Sequence, residues 1–159
     1  MDQYKLLGSG VDTLVFWVSW DTRYRLPNEL IEILNEGLEV WRKGGDFPFL
    51  GVDTFLPIKA PGTPLPYPVA EVRSGRHFRW LLLFQGGKVS VALADPSTQG
   101  VLRDDQPQAY VEISGSYMRE RGRDFQKVVT EIVAALSRLV GAEPVAVRIS
   151  RVDLFADLL

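Results

Sequence analysis

Four carboxylates occupy an unusual setting in this 159-residue chain: Glu71, Glu112, Asp153 and Asp157 all fall within segments that read as β-strand rather than loop. Strand interiors are poor places for acids, because β-propensity favours branched and aromatic side chains. If the faces of these strands coincide, two or three of the acids could hold Mg²⁺ or Mn²⁺ through oxygen ligands. Such an ion positions a phosphodiester and stabilises its developing charge. The plainer reading is cross-strand pairing with Arg73, Arg79 or Arg151, each exposed pair worth roughly 0.2–1 kcal/mol.

Basic residues form two local clusters. One is Arg73, Arg76, His77 and Arg79. The other is Arg119, Arg121, Arg123 and Lys127, beside Tyr117 and at the start of an expected helix. Arginine with tyrosine suits backbone contacts and base stacking on single-stranded nucleic acid, and helix N-termini present free N–H groups to phosphate. Glu120 and Asp124 are interleaved with the second cluster, so a charge-balanced helix start competes with that reading. His77 is the lone histidine, which excludes a two-histidine zinc site. No Walker A, dinucleotide-binding or nucleophile-elbow pattern occurs. No catalytic nucleophile is identifiable from the residues.

The segment Pro144–Leu159, PVAVRISRVDLFADLL, is the strand that would position the last two acids. Its alternation puts Val152, Leu154, Ala156 and Leu158 on one face and Arg151, Asp153, Phe155 and Asp157 on the other. Within it, Arg148-Ile149-Ser150-Arg151-Val152-Asp153-Leu154 followed by Asp157 resembles a segment of phage and plasmid rolling-circle replication initiation factors. Gly10-Val11-Asp12-Thr13-Leu14 resembles that family's opening. Val111-Glu112-Ile113-Ser114-Gly115-Ser116-Tyr117, with Arg119 and Gly122, resembles a middle segment. The resemblance implies an open-faced α+β fold, DNA as partner (single-stranded or as an origin hairpin), and a divalent metal near Asp153 and Asp157, with Arg151 beside them. It also implies a nucleophilic tyrosine downstream of this segment, which this chain does not contain. The expectation is therefore the N-terminal portion of a longer initiator, which binds DNA without nicking it and is completed by a C-terminal partner segment or a second copy. Two other readings stand beside it: a non-enzymatic protein-interaction module using the open sheet face or the terminal strand, and a complete metal-dependent nucleic-acid enzyme built on the four carboxylates.

The rest of the chain supplies the frame. Thr13–Asp21 reads as a buried strand. Pro27 opens a helix whose apolar face is Leu30, Ile31, Leu34, Leu38 and Trp41; Glu29, Glu32, Glu36 and Glu39 face solvent, and Gly44-Gly45 stops it. The proline-rich stretch Asp46–Pro68 reads as a crossing loop. Strands follow at Val69–Ser74, Arg76–Phe84 and Lys88–Ala94, with turns short enough to force antiparallel pairing. After a polar loop, Asp95–Pro107, comes a strand at Gln108–Ser114. A helix from Gly122 or Asp124 to Gly141 carries a wide apolar stripe that includes Phe125, Val128, Ile132 and Leu136. The order β-α-β-β-β-β-α-β predicts one α+β domain over residues 1–159, a mostly antiparallel sheet with two amphipathic helices on one face.

Composition sets the outer bounds. Apolar residues make up 46% and charged residues 24% of the chain, ordinary values for a globular domain. The net charge of −2 means that any nucleic-acid binding must come from a local patch. With no cysteine there are no disulfides and no thiolate chemistry. No apolar run is long enough for a membrane span, so a cytoplasmic protein is expected.

Overall fold

In a computed structural model of the chain, the described residues are 6–21, 26–44, 69–72, 78–84, 87–94, 107–122 and 124–158. The side chains of 6–12, 71 and 154–158 are not described. Among the described residues the architecture is α+β: three helices and a six-stranded, wholly antiparallel sheet. The strands are β1 (Leu6–Ser19), β2 (Val69–Glu71), β3 (Phe78–Phe84), β4 (Val89–Ala94), β5 (Ala109–Ile113) and β6 (Ala146–Leu158). The helices are α1 (Asn28–Arg42), α2 (Gly115–Glu120) and α3 (Phe125–Val140). Across the sheet the order is β2-β3-β4-β5-β1-β6, so β2 and β6 are its edges.

Register explains why one face is core. Leu14, Phe16 and Val18 of β1 pair with Ile113, Val111 and Ala109 of β5. These pair in turn with Val89, Val91 and Leu93 of β4, which pair with Phe84, Leu82 and Trp80 of β3. All are buried, and they form one cluster with Leu30, Leu34 and Leu38 of α1, Tyr117 and Met118 of α2, and Val128, Ile132 and Leu136 of α3. Because strand side chains alternate, a face this uniform requires every strand to keep its phase. α1 packs on β2, while α2 and α3 pack on β1. Two indoles lock the layers together: Trp80 Nε1 donates to Asn35 Oδ1 of α1 at 3.2 Å, and Trp20 Nε1 donates to Ala142 O beyond α3 at 2.9 Å.

The helix ends follow local chemistry. Asp124 caps α3, accepting from Lys127 N at 3.2 Å, and Gly141 ends it in the left-handed region at φ 80°. Ser114 caps α2 by accepting from Tyr117 N. α2 is an element beyond those expected from the sequence; at 6 residues it is too short to show helical periodicity. Two side chains assigned to apolar helix faces stand partly outside, Trp41 at 42% exposure and Phe125 at 38%. Ile33 takes the buried place on α1 instead.

β1 begins earlier than its composition suggested, at Leu6, because its first half pairs only with β6. β5 pairs with Leu14–Val18, whereas β6 pairs with β1 from Leu6 to Ser19. Among the described residues, Leu6–Val11 and Leu154–Leu158 thus form a two-stranded arm beyond the six-stranded body. The β1–β6 pair is interrupted three times, with Leu7 and Asp12 as extra residues on β1 and Ser150 on β6. Such bulges shift side-chain phase and increase local twist. No helix among the described residues is long and apolar enough to cross a membrane.

Candidate nucleic-acid interface

The sheet face opposite the helices carries the polar and aromatic side chains. Three rings gather there from strands distant in sequence. Trp17 of β1 meets Tyr110 of β5 edge-on, with centroids 4.5 Å apart, and stacks with Phe78 of β3 at 6.2 Å. Phe78 and Tyr110 lie 6.4 Å apart. Strand β4, which runs between Phe78 and Tyr110, places alanines against them: Ala94 pairs with Phe78 and Ala92 with Tyr110. The missing bulk lets the rings approach across an intervening strand. All three rings are half-buried.

Charged groups flank the rings in rows. In one row Tyr110, Trp17 and Arg148 are successive cross-strand neighbours on β5, β1 and β6. In the next, Glu112, Val15 and Arg151 are. Thr13 and Asp153 extend the second margin. Asp153 is held by Arg151, whose Nε and Nη2 donate at 3.1 and 2.9 Å, and by the Thr13 hydroxyl. The Arg151 hydrogen bonds, then the Thr13 bond, hold the Asp153 carboxyl below its ordinary pKa. The Arg151 guanidinium is correspondingly stabilised as a cation, mainly by Asp153 and further by Glu112. Burial raises the Tyr110 phenol, Glu112 raises it further, and Arg151 opposes both. Tyr110, Glu112, Arg151 and Asp153 thus form one electrostatic group. A cleft of about 650 Å³ opens beside Trp17, lined by Ser19, Asp21, Arg148 and Ser150 among others.

The four acids singled out in the sequence do not converge on one point. Glu71 is on edge strand β2, opposite Trp80, with β3, β4, β5 and β1 between it and β6. Glu112 is exposed on β5, and β1 separates it from Asp153. Asp157 pairs with Gly8 in the arm, and its side chain lies outside the described residues. Among the described residues no three His, Asp or Glu side chains form a group suited to a metal ion. Both Asp153 oxygens already accept hydrogen bonds. A cation at Asp153 would therefore compete with the guanidinium and the hydroxyl for the carboxylate.

The basic clusters separate as well. Arg73, Arg76, His77 and Arg123 lie outside the described residues. Arg79 sits over the Trp80 ring, 5.5 Å from its centroid. Tyr117 is 3% exposed and belongs to the core, so it is not a stacking surface; its hydrophobic ring wins over its place beside arginines. Arg121 covers that ring at 5.2 Å and approaches Glu131 at 3.9 Å, while Arg119 is exposed. Tyr117, Arg119 and Arg121 sit with α2 on the helical side of the sheet, away from the aromatic trio, whereas Arg79 adjoins Phe78 in β3. Trp17, Tyr110 and Phe78 were not singled out by sequence reasoning as a site. Trp17 and Tyr110 do occupy the off-phase positions of strands whose other phase is uniformly apolar, which is the signal available before strand order is known. In comparisons with known proteins, no family model matches this chain, and neither does any curated protein or solved structure.

Proposed function

We propose that this chain binds single-stranded nucleic acid, in the first instance DNA, on the sheet face opposite its helices. The observation that carries the reading is the Trp17–Tyr110–Phe78 cluster, three rings on one face with arginine at its margin. Aromatic side chains on a sheet offer sequence-tolerant stacking platforms, and adjacent guanidinium groups take the phosphates. Arg151 suits the second role, since its guanidinium is exposed and hydrogen-bonds to Asp153 from one side only. A phosphate would compete with or bridge to that carboxylate. The net charge of −2 fits a local site better than general polyanion affinity.

The resemblance of three sequence segments to rolling-circle replication initiators supports a narrower version, in which this chain is the DNA-binding portion of such a protein. A divalent metal at Asp153 belongs to that narrower version and would compete with Arg151 for the carboxylate.

The test is anisotropy of fluorescent single-stranded and hairpin DNA at two salt concentrations, with and without Mn²⁺. Affinity should fall with salt, because phosphate contacts release counterions. Trp17→Ala and Tyr110→Ala should each weaken binding by about tenfold, within the roughly 1–3 kcal/mol of a base–aromatic stack. Arg119→Ala, on the helical side, should leave it unchanged. Binding lost in Arg119→Ala but retained in Trp17→Ala would move the site to the helices. No binding at low salt would end the nucleic-acid reading for this chain.

A further inference from the structure

Edge strand β6 is exposed along its outer side, and residues 147–152 are all exposed. Its side chains facing the helical layer are apolar yet uncovered. Val147, Ile149 and Val152 pair with buried Val18, Phe16 and Leu14 of β1, but they are 39%, 44% and 40% exposed. α3 covers β1 and stops short of β6, leaving a groove of about 730 Å³ between Val129, Val133 and Ala134 of the helix and Val147 of the strand. A long, bare, apolar edge is a template for another strand.

The sequence of β6 indicates which strand. The extra residue Ser150 reverses side-chain phase, so Ile149 and Val152 face the helical layer while Arg148, Arg151 and Asp153 face the other side. In an unbulged strand, residues three apart would face opposite ways. With the bulge, a second β6 laid antiparallel about an axis between Ser150 and Arg151 sets Ile149 against Val152 on one face. On the other face the same register sets Arg148 against Asp153. Both matches occur twice by symmetry. Arg148 makes no ion pair among the described residues. Moving the axis two residues toward the N-terminus in summed register would oppose Arg148 to Arg151, a like-charge pair, so charge selects the first register.

We propose that two copies of this chain associate through β6 in this register, forming one continuous sheet with six strands from each copy. Such a contact is isologous and closed. The axis runs perpendicular to the sheet, so both helical layers lie on one side and both aromatic clusters on the other. The proposal stands independently of what the aromatic clusters bind.

The chain has no cysteine, which makes engineered disulfides a direct test of the register. Ile149 and the Val152 of the second copy would be directly opposed, with Cα atoms about 4.5–5.5 Å apart, within disulfide reach. Each residue and its own symmetry mate would be offset along the strands by only the Phe16-to-Leu14 spacing, because Ser150 is bulged, and would lie diagonally about 7–8 Å apart, beyond reach. Mild oxidation of a mixture of Ile149→Cys and Val152→Cys chains should therefore give a covalent dimer, and either variant alone should not. Light scattering of the unaltered protein should give twice the 17.8 kDa chain mass. Arg148→Asp should raise the dimer dissociation constant by about tenfold, as two opposite-charge pairs become like-charge pairs. A monomeric mass for the concentrated protein would overturn the proposal. A dimer that gives no mixed disulfide, or one in which the single variants cross-link equally well, would overturn the register.

Discussion

Asp153 shows how one side chain can read two ways. In the sequence it looks like a metal ligand; in the fold it is an acceptor shared by Arg151 and Thr13. The fold stabilises its carboxylate form. That contribution is present above the ordinary carboxylate pKa near 4 and is lost as pH falls through the lower folded value. Arg151→Ala removes the larger of the two causes. The Asp153 titration midpoint, followed by carboxyl NMR, should then rise toward its ordinary value, and the remaining depression should vanish when Thr13→Val is added. An unchanged midpoint in Arg151→Ala would assign the whole effect to the hydroxyl. Pairing of the acids with arginines across strands was one of two readings open from the sequence; the Arg151 bond to Asp153 instead runs within β6, and Thr13, 140 residues away, became the cross-strand partner only through the β1–β6 register.

At the scale of elements, the two long helices were legible because apolar spacing near 3.6 residues is a local signal, and Asp124 and Gly141 mark the ends of α3. Gly141 also offers a local test. At φ 80° a Cβ meets the following carbonyl, so Gly141→Ala should destabilise the protein by about 1 kcal/mol in urea unfolding. A neutral result would mean that the α3–β6 turn relaxes at no cost. The first half of β1 was not legible, since Gly8 and Gly10 carry turn character and only the long partner β6 draws them into a strand. The aromatic face was hidden for a different reason. Trp17, Phe78 and Tyr110 are neighbours only once β1, β5, β4 and β3 are ordered side by side, and strand order is not written in any one strand. The same fact separates Glu71 from Asp153.

Across the whole molecule, the sheet is tied at one end by a buried polar residue. Gln108 donates its N–H to Val18 O, accepts from Ala94 N through its own carbonyl, and accepts from Trp20 N through its side chain. Three strands therefore meet on one residue that is 6% exposed. Gln108→Leu keeps most of the volume but orphans the Trp20 N–H, a buried donor, and should cost about 1–3 kcal/mol in chemical denaturation. A loss below about 0.5 kcal/mol would show that water reaches this amide. Joined to the indole bond from Trp20 to Ala142, this knot fixes the end of β1 from both the sheet and the helical side.

At the opposite end of β1 no such tie is present among the described residues. There the arm of Leu6–Val11 and Leu154–Leu158 has only two strands among the described residues, and an isolated two-stranded ribbon is marginal in water. In the β6 register proposed above, Leu154 of one copy lies against Val147 of the other, so each arm gains a third strand from its neighbour. Local folding of the arm then becomes a function of protein concentration by mass action. Dilution would fray the arm before it touched the core, and whatever displaces the second copy would loosen the strand that carries Asp153.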